Sequence, residues 1–189
     1  MRSYLNCTDA VLIDGCKREE RGAQRELYER FSGKLYAVCL RYAKATHDAD
    51  DILQKSFLKI FDHIGQLEEE GALEGWMRRI VVNTALKEYR RKLDQAQRED
   101  ISDANYHTQS NLTLSQFSYK ELLEMVSRLP DQCRLVFNLF AIEGYKHREV
   151  AEMMDISEGT SKSQYARARA LLQDMIAAEE KRYARQTLR

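Results

Sequence analysis

Residues 129–172 read LPDQCRLVFNLFAIEGYKHREVAEMMDISEGTSKSQYARARALL, and this stretch decides the fold. Pro130, the only proline of the chain, costs nothing at the first position of a helix, because its missing N–H would have no intrahelical partner there. Apolar residues at helical spacing between Arg134 and Ile142 predict a helix over 130–142, ended at Gly144. A short helix follows over 146–154, with Val150, Ala151 and Met154 on one face. After the three-residue turn Asp155-Ile156-Ser157, Ser157 is placed to cap a longer helix over 157–181. Its small and apolar residues Ser161, Tyr165, Ala168 and Leu172 fall at intervals of four, three and four, which leaves Lys162, Ser163, Gln164 and Arg167 facing outward together. A short helix, a tight turn and a capped helix with a polar, basic outer face form the helix-turn-helix pattern, whose second helix enters the DNA major groove.

The rest of the chain is also helical in pattern. Proline is absent before residue 130 and long β-branched runs are few, which argues against sheet. Periodicity predicts helices over 9–17, 20–43, 48–64 and 73–92, then 116–128 ahead of the three just described. Residues 94–115 are rich in Asp, Gln, Asn, Ser and Thr and too poor in aliphatics to bury apolar surface, so they read as a linker. The expected architecture is all-α: two small helical domains, 1–93 and 116–189, joined by the acidic and polar linker 94–115.

Composition narrows the function. A hydrophobic content of 43% in 189 residues suits two small cores. Thirty basic and thirty acidic residues cancel, so a nucleic-acid partner must be argued from local patches. One exists in 76–92, where Arg78, Arg79, Lys87, Arg90, Arg91 and Lys92 face a single acid, Glu88. Cys7, Cys16, Cys39 and Cys133 have no Cys-x-x-Cys spacing and no nearby histidine pair, which points to reduced, packed thiols and to no metal or disulfide framework. His47, His63, His107 and His147 are scattered without a Ser, His and Asp grouping, so neither a catalytic constellation nor a cofactor is expected. No apolar run reaches the length of a membrane span and the N-terminus lacks a signal-peptide core, so the expected location is cytoplasmic.

Three groups of residues together carry a family resemblance. The first is Leu129-Pro130, Arg134-Leu135-Val136-Phe137, Glu143-Gly144-Tyr145, Glu149 to Met154, Gly159 to Ser163 and Ala166 to Arg169, in that order. It resembles region 4 of the sigma-70 family of bacterial RNA polymerase specificity subunits, and in particular the extracytoplasmic function (ECF) group. The second, Asp50 to Phe61, resembles the polymerase-binding helix of region 2. The third, Trp76 to Ala85, resembles its promoter-melting helix.

The resemblance implies a non-enzymatic initiation factor that binds RNA polymerase core, through its beta and beta-prime subunits, and directs it to promoter DNA. It assigns core binding to Asp51, Gln54 and Phe57, as an acceptor, an amide and an apolar anchor. Minus-10 binding falls to Trp76, Arg79, Asn83, Arg90 and Arg91, with a base pocket expected in 64–75, although Gly65 to Gly71 is unusually acidic for DNA. Minus-35 binding falls to Ser163, Gln164 and Arg167 on base edges and to Lys162 and Arg169 on phosphates. Arg to guanine and Gln to adenine are natural major-groove pairings. Ser161 stands where relatives bury an aliphatic residue, which predicts looser packing on the short helix, and Gln164 stands where many carry arginine. The resemblance further implies an anti-sigma partner and a linker that passes through the enzyme's product channel. Two other readings of the residues stay open at this point. One is a free-standing helix-turn-helix regulator, and the other is an adaptor that contacts polymerase without reading DNA.

Overall fold

Ala23, Leu27, Phe31, Leu35, Cys39 and Tyr42 recur every three or four positions, so a helix there has one apolar side that must be covered. In the computed structural model all six are buried along α2 (Arg21–Tyr42). The structure describes residues 4–67, 70–99 and 119–187. Before α2 lies α1 (Asp9–Lys17), capped by the Thr8 side chain, which accepts from the Val11 N–H. After it come α3 (Thr46–His63), two 3-10 turns at Ile64–Gln66 and Glu70–Ala72, and α4 (Leu73–Glu99). Then follow α5 (Tyr119–Ser127), α6 (Asp131–Phe137), a π-helical stretch Asn138–Ile142, α7 (His147–Met154) and α8 (Glu158–Thr187). Every regular element among the described residues is helical, and the chain divides into two units, Met1–Tyr106 and His107–Arg189.

In the first unit α2, α3 and α4 pack on one another and α1 packs on α2. Leu12, Leu27, Leu35, Ile60, Met77 and Val81 form its interior, each at most 1% exposed. The contact of α1 with α2 depends on Gly15. A Cβ built there would lie 2.6 Å from the Ala23 Cβ and 2.7 Å from the Tyr4 hydroxyl. Alanine is the better helix former, but the Ala23 methyl is fixed to the α2 backbone and cannot swing away. Gly15→Ala is therefore expected to cost about 1–3 kcal/mol net of propensity. The check is a lower denaturant midpoint with an unchanged m value. Burial also pushes the Cys16 thiol up to about 11, which keeps it an inert packed side chain.

In the second unit α8 packs against α6 and α7. Val126, Leu129, Cys133 and Ala168 form a core flanked by Phe137, Leu171, Leu172 and Met175. Gly144, at φ +82°, ends the π-helical stretch in a conformation that favours glycine. Asp155, at φ +55°, ends α7 and donates its N–H to the Ala151 carbonyl. The Ser157 Oγ accepts from the Thr160 N–H at 2.9 Å and so caps α8.

The boundaries differ from expectation in four places. Pro130 sits one residue outside α6, at the cap, with ψ 141°. The helix expected over 130–142 changes to π geometry at Asn138. α3 begins at Thr46, which leaves Asp48 as the only acid of its first turn. α4 runs on to Glu99, through the first part of the expected linker, because extending a well-packed helix costs far less than nucleating one and DQAQRE contains no strong breaker. The remainder of that linker, and residues 68 and 69 of the expected base pocket, lie outside the described residues.

Candidate nucleic-acid and partner interfaces

On α8 the buried side follows the expected intervals: Ser161 and Ala168 are fully buried, and Tyr165 and Leu172 half-buried. Lys162, Ser163, Arg167 and Arg169 are exposed. The Lys162 ammonium lies 2.6 Å from the Glu158 carboxylate, and this bond holds the Glu158 carboxyl below its usual value. The Ser163 Oγ donates back to the Thr160 carbonyl at 3.0 Å. Gln164 does not join the outward face. Its Oε1 accepts from the Cys133 Sγ at 2.9 Å and its Nε2 donates to Gln132 at 3.4 Å, so the side chain is engaged with α6. The reason is spacing: residue 164 follows buried Ser161 by three and precedes buried Ala168 by four, and so shares their side of the helix. Burial raises the Cys133 thiol above its ordinary value and keeps its proton available for that bond. The exposed base-edge candidates are therefore Ser163 and Arg167.

On α4, Trp76, Arg79, Asn83 and Arg90 fall at intervals of three, four and seven along one stripe, and Lys87 completes it. Trp76 is half-buried and the other four are exposed, over a length of about 21 Å at 1.5 Å per residue. Arg91 lies beside this stripe, 3.0 Å from Glu88, which also meets Lys55 of α3 at 2.9 Å. Burial alone would push the Glu88 carboxyl up, but the bonds from Lys55 and Arg91 outweigh it and hold the group below its usual value. Lys59 of α3 donates to the Thr84 Oγ1 at 2.9 Å, and burial, followed by the nearby Lys87, lowers its ammonium. The cationic face thus extends from α4 onto α3. The sequence reading missed this because Lys55 and Lys59 belong to a different helix.

On α3, Asp51 and Gln54 are exposed, but Phe57 is not the apolar anchor expected beside them. It is 4% exposed, with its ring 4.7 Å from Tyr28 and 5.9 Å from Phe61 in the seam between α2 and α3. Residue 57 lies four after buried Leu53 and three before buried Ile60, which places it on the core side. The apolar residue that shares the face of Asp51 and Gln54 is Leu58, at 64% exposure. Asp48 is also drawn inward, bonded to Lys92 of α4 and 3.2 Å from His47.

His147 is not the isolated histidine that the sequence suggested. Its ring stacks on Phe140 at 4.0 Å and 11°, and its Nδ1 lies 2.9 Å from the Ser161 Oγ. Ser161 therefore packs against α7 through a hydrogen bond, where looser packing was expected. His47 and His63 lie elsewhere, beside Asp48 and Gln66, and His107 is outside the described residues.

Among the described residues no helix is long and apolar enough to cross a membrane. The Sigma-70 region 2 family matches residues 27–94 and the Sigma-70 region 4 family matches residues 119–172. An ECF RNA polymerase sigma-E factor of Haemophilus influenzae is 29% identical over 181 residues, covering 89% of this chain and 95% of that protein. Its counterpart in Escherichia coli K12 is 27% identical over 184 residues, covering 89% and 94%. Two solved structures share the fold. The sigma factor RpoE, in complex with the anti-sigma factor NepR from Bartonella quintana, aligns with a TM-score of 0.58 at 18% identity over 81% of this chain and 96% of that one. CnrH, in complex with the cytosolic domain of CnrY, aligns with a TM-score of 0.50 at 20% identity over 90% and 97%. The first unit holds the region 2 match with its basic helix, and the second holds the region 4 match with its helix-turn-helix. The chain belongs to the sigma-70 family of RNA polymerase specificity subunits, in the ECF group, and is a promoter-directing sigma factor.

Proposed function

We propose that this sigma factor docks on core polymerase through the exposed face of α3, holds the minus-10 element along α4 and reads the minus-35 element with α8. The observation that carries the reading is that both units set a cation-bearing helix face against a side locked into the core. A helix so held presents its charges in a fixed register. Trp76 and Asn83 offer an aromatic edge and an amide to an unstacked base, with Arg79, Lys87 and Arg90 along the same stripe for phosphates. Arg167 and Ser163 offer a fork and a hydroxyl to base edges in a major groove. Each surface alone is small, and tethering both to one enzyme makes the second contact intramolecular, which raises the joint affinity.

Any bond-making belongs to the polymerase, and the protein works where that enzyme and promoter DNA are, in the cytoplasm. The sigma factor RpoE solved in complex with the anti-sigma factor NepR, and CnrH solved in complex with the cytosolic domain of CnrY, support an anti-sigma partner for this chain as well.

The test is run-off transcription with purified core polymerase on a library of upstream sequences, with and without the protein. Start sites that appear only on its addition, and that share two motifs at fixed separation, are the expected result. Core binding without new transcripts would favour an adaptor, and tight binding to DNA without core would favour a free-standing regulator. In the same assay Arg167→Ala is expected to reduce use of promoters that depend on their minus-35 element by about 5- to 150-fold, the equivalent of one lost bidentate base contact. An unchanged minus-35 preference would remove this residue from base reading.

A further inference from the structure

The recognition helix α8 is seated on a polar contact inside an aromatic group. Ser161, fully buried on α8, is bonded through its Oγ to the Nδ1 of His147, the first residue of α7, at 2.9 Å. The imidazole is held in turn by Phe140, stacked on it at 4.0 Å. Phe140 belongs to the π-helical stretch, and such stretches insert an extra residue and so turn the side chains that follow. Tyr165, one turn beyond Ser161 on α8, completes the group, 4.6 Å from Phe140 and 5.7 Å from His147. Three elements therefore meet at one imidazole, and a hydrogen bond, unlike an apolar contact, has a direction.

We infer that the His147–Ser161 hydrogen bond positions the recognition helix, so that this pair helps to select the minus-35 sequence without touching DNA. Ser161 lies two residues before Ser163 and six before Arg167 on the same rigid helix. A small rotation of α8 about this point moves both base-reading side chains across the groove. A bidentate contact tolerates little displacement, so the orientation of the helix decides which base pair is offered to the Arg167 fork. His147 and Ser161 act here as positioning residues. The inference rests on the reading of α8 as the minus-35 helix.

The experiment is the run-off assay with core polymerase on a library randomised at the minus-35 element, using the full chain. His147→Phe keeps the ring and its stack on Phe140 but removes the bonding nitrogen. His147→Asn keeps a bonding atom close to the Nδ1 position but removes the ring. Ser161→Ala deletes one oxygen and serves as the second variant if His147→Phe fails to fold, as judged by thermal melting. His147→Phe and Ser161→Ala are expected to re-order the preferred minus-35 sequences in the same way. The relative use of the leading sequence should change by about fivefold, the worth of one net hydrogen bond. The double variant should match either single variant, His147→Asn should keep the wild-type order, and minus-10 preference should not move. The inference is overturned if the variants lower transcription evenly across the library, if their effects add, or if His147→Asn re-orders the library while His147→Phe does not. Failure of the wild-type protein to produce core-dependent transcripts would instead count against the sigma-factor reading beneath it.

Discussion

Replacing Leu58 by glutamate is expected to weaken binding to core polymerase by at least about 30-fold, the effect of losing one interface hot spot of 2 kcal/mol or more, and to leave the melting temperature unchanged. Leu58 is 64% exposed on α3, between Gln54 and Asp62. An aliphatic side chain left in water forgoes about 1.5–3 kcal/mol that a partner could return by covering it. Asp51 and Gln54 would supply the polar rim around such an anchor. Nothing in the core depends on Leu58, so a charge there should be silent in folding. Phe57→Ala is the instructive contrast: the ring packs under Tyr28, and its loss would damage the first unit itself. Fluorescence anisotropy of labelled protein titrated with core, alongside a thermal melt of each variant, separates the two. Unaltered affinity in the Leu58 variant would remove the α3 face from the polymerase contact.

The second large effect belongs to Leu139. It is fully buried in the π-helical stretch beside Leu135 and Val136, which are equally buried. Leu139→Ala should cost about 2–5 kcal/mol, from lost transfer energy and the cavity left behind. A unit of this size has a total stability toward the lower end of the usual range of about 5–15 kcal/mol, so much of the second unit would unfold on mild heating. Minus-35 selectivity should be lost, while core affinity, assigned by the proposal to α3, should stay near its original value. Circular dichroism melts paired with the core titration provide the check, and a melting curve like that of the unsubstituted protein would mean that the site relaxes around the smaller side chain.

Much of this was legible in the sequence because helices announce themselves through periodicity. Ala23 to Tyr42 and Ser161 to Leu172 each repeat at helical intervals, and their helices lie where that repetition places them. Phe57 is placed outward by a family pattern and Gln164 by the intervals of the other buried residues of its helix, yet their own spacing from Leu53, Ile60, Ser161 and Ala168 turns both inward. That signal was present and was outweighed. The change from α to π geometry at Asn138 has no such signature, since it depends on how Leu139 and Phe140 pack against other elements. The bond between His147 and Ser161 joins residues fourteen apart on two helices, and neither residue type announces the other. The end of α4 was misjudged for a different reason: low apolarity in 94–99 argues against burial, but a helix that is already anchored does not need burial to continue.

The ion pairs on the outer faces have a consequence for how the protein searches. Lys162 is paired with Glu158, Arg148 lies 3.3 Å from Glu152, and Arg91 shares Glu88 with Lys55. These cations thus lie beside counter-charges, while Arg79, Lys87, Arg167 and Arg169 stay exposed on the proposed DNA faces, and the whole chain sums to zero. Beyond the Debye length of about 8 Å in cellular salt, such a surface exerts almost no pull on a polyanion. Attraction of the free protein to chromosomal DNA is therefore expected to be short-ranged, left to the phosphate contacts that the exposed cationic stripes can make.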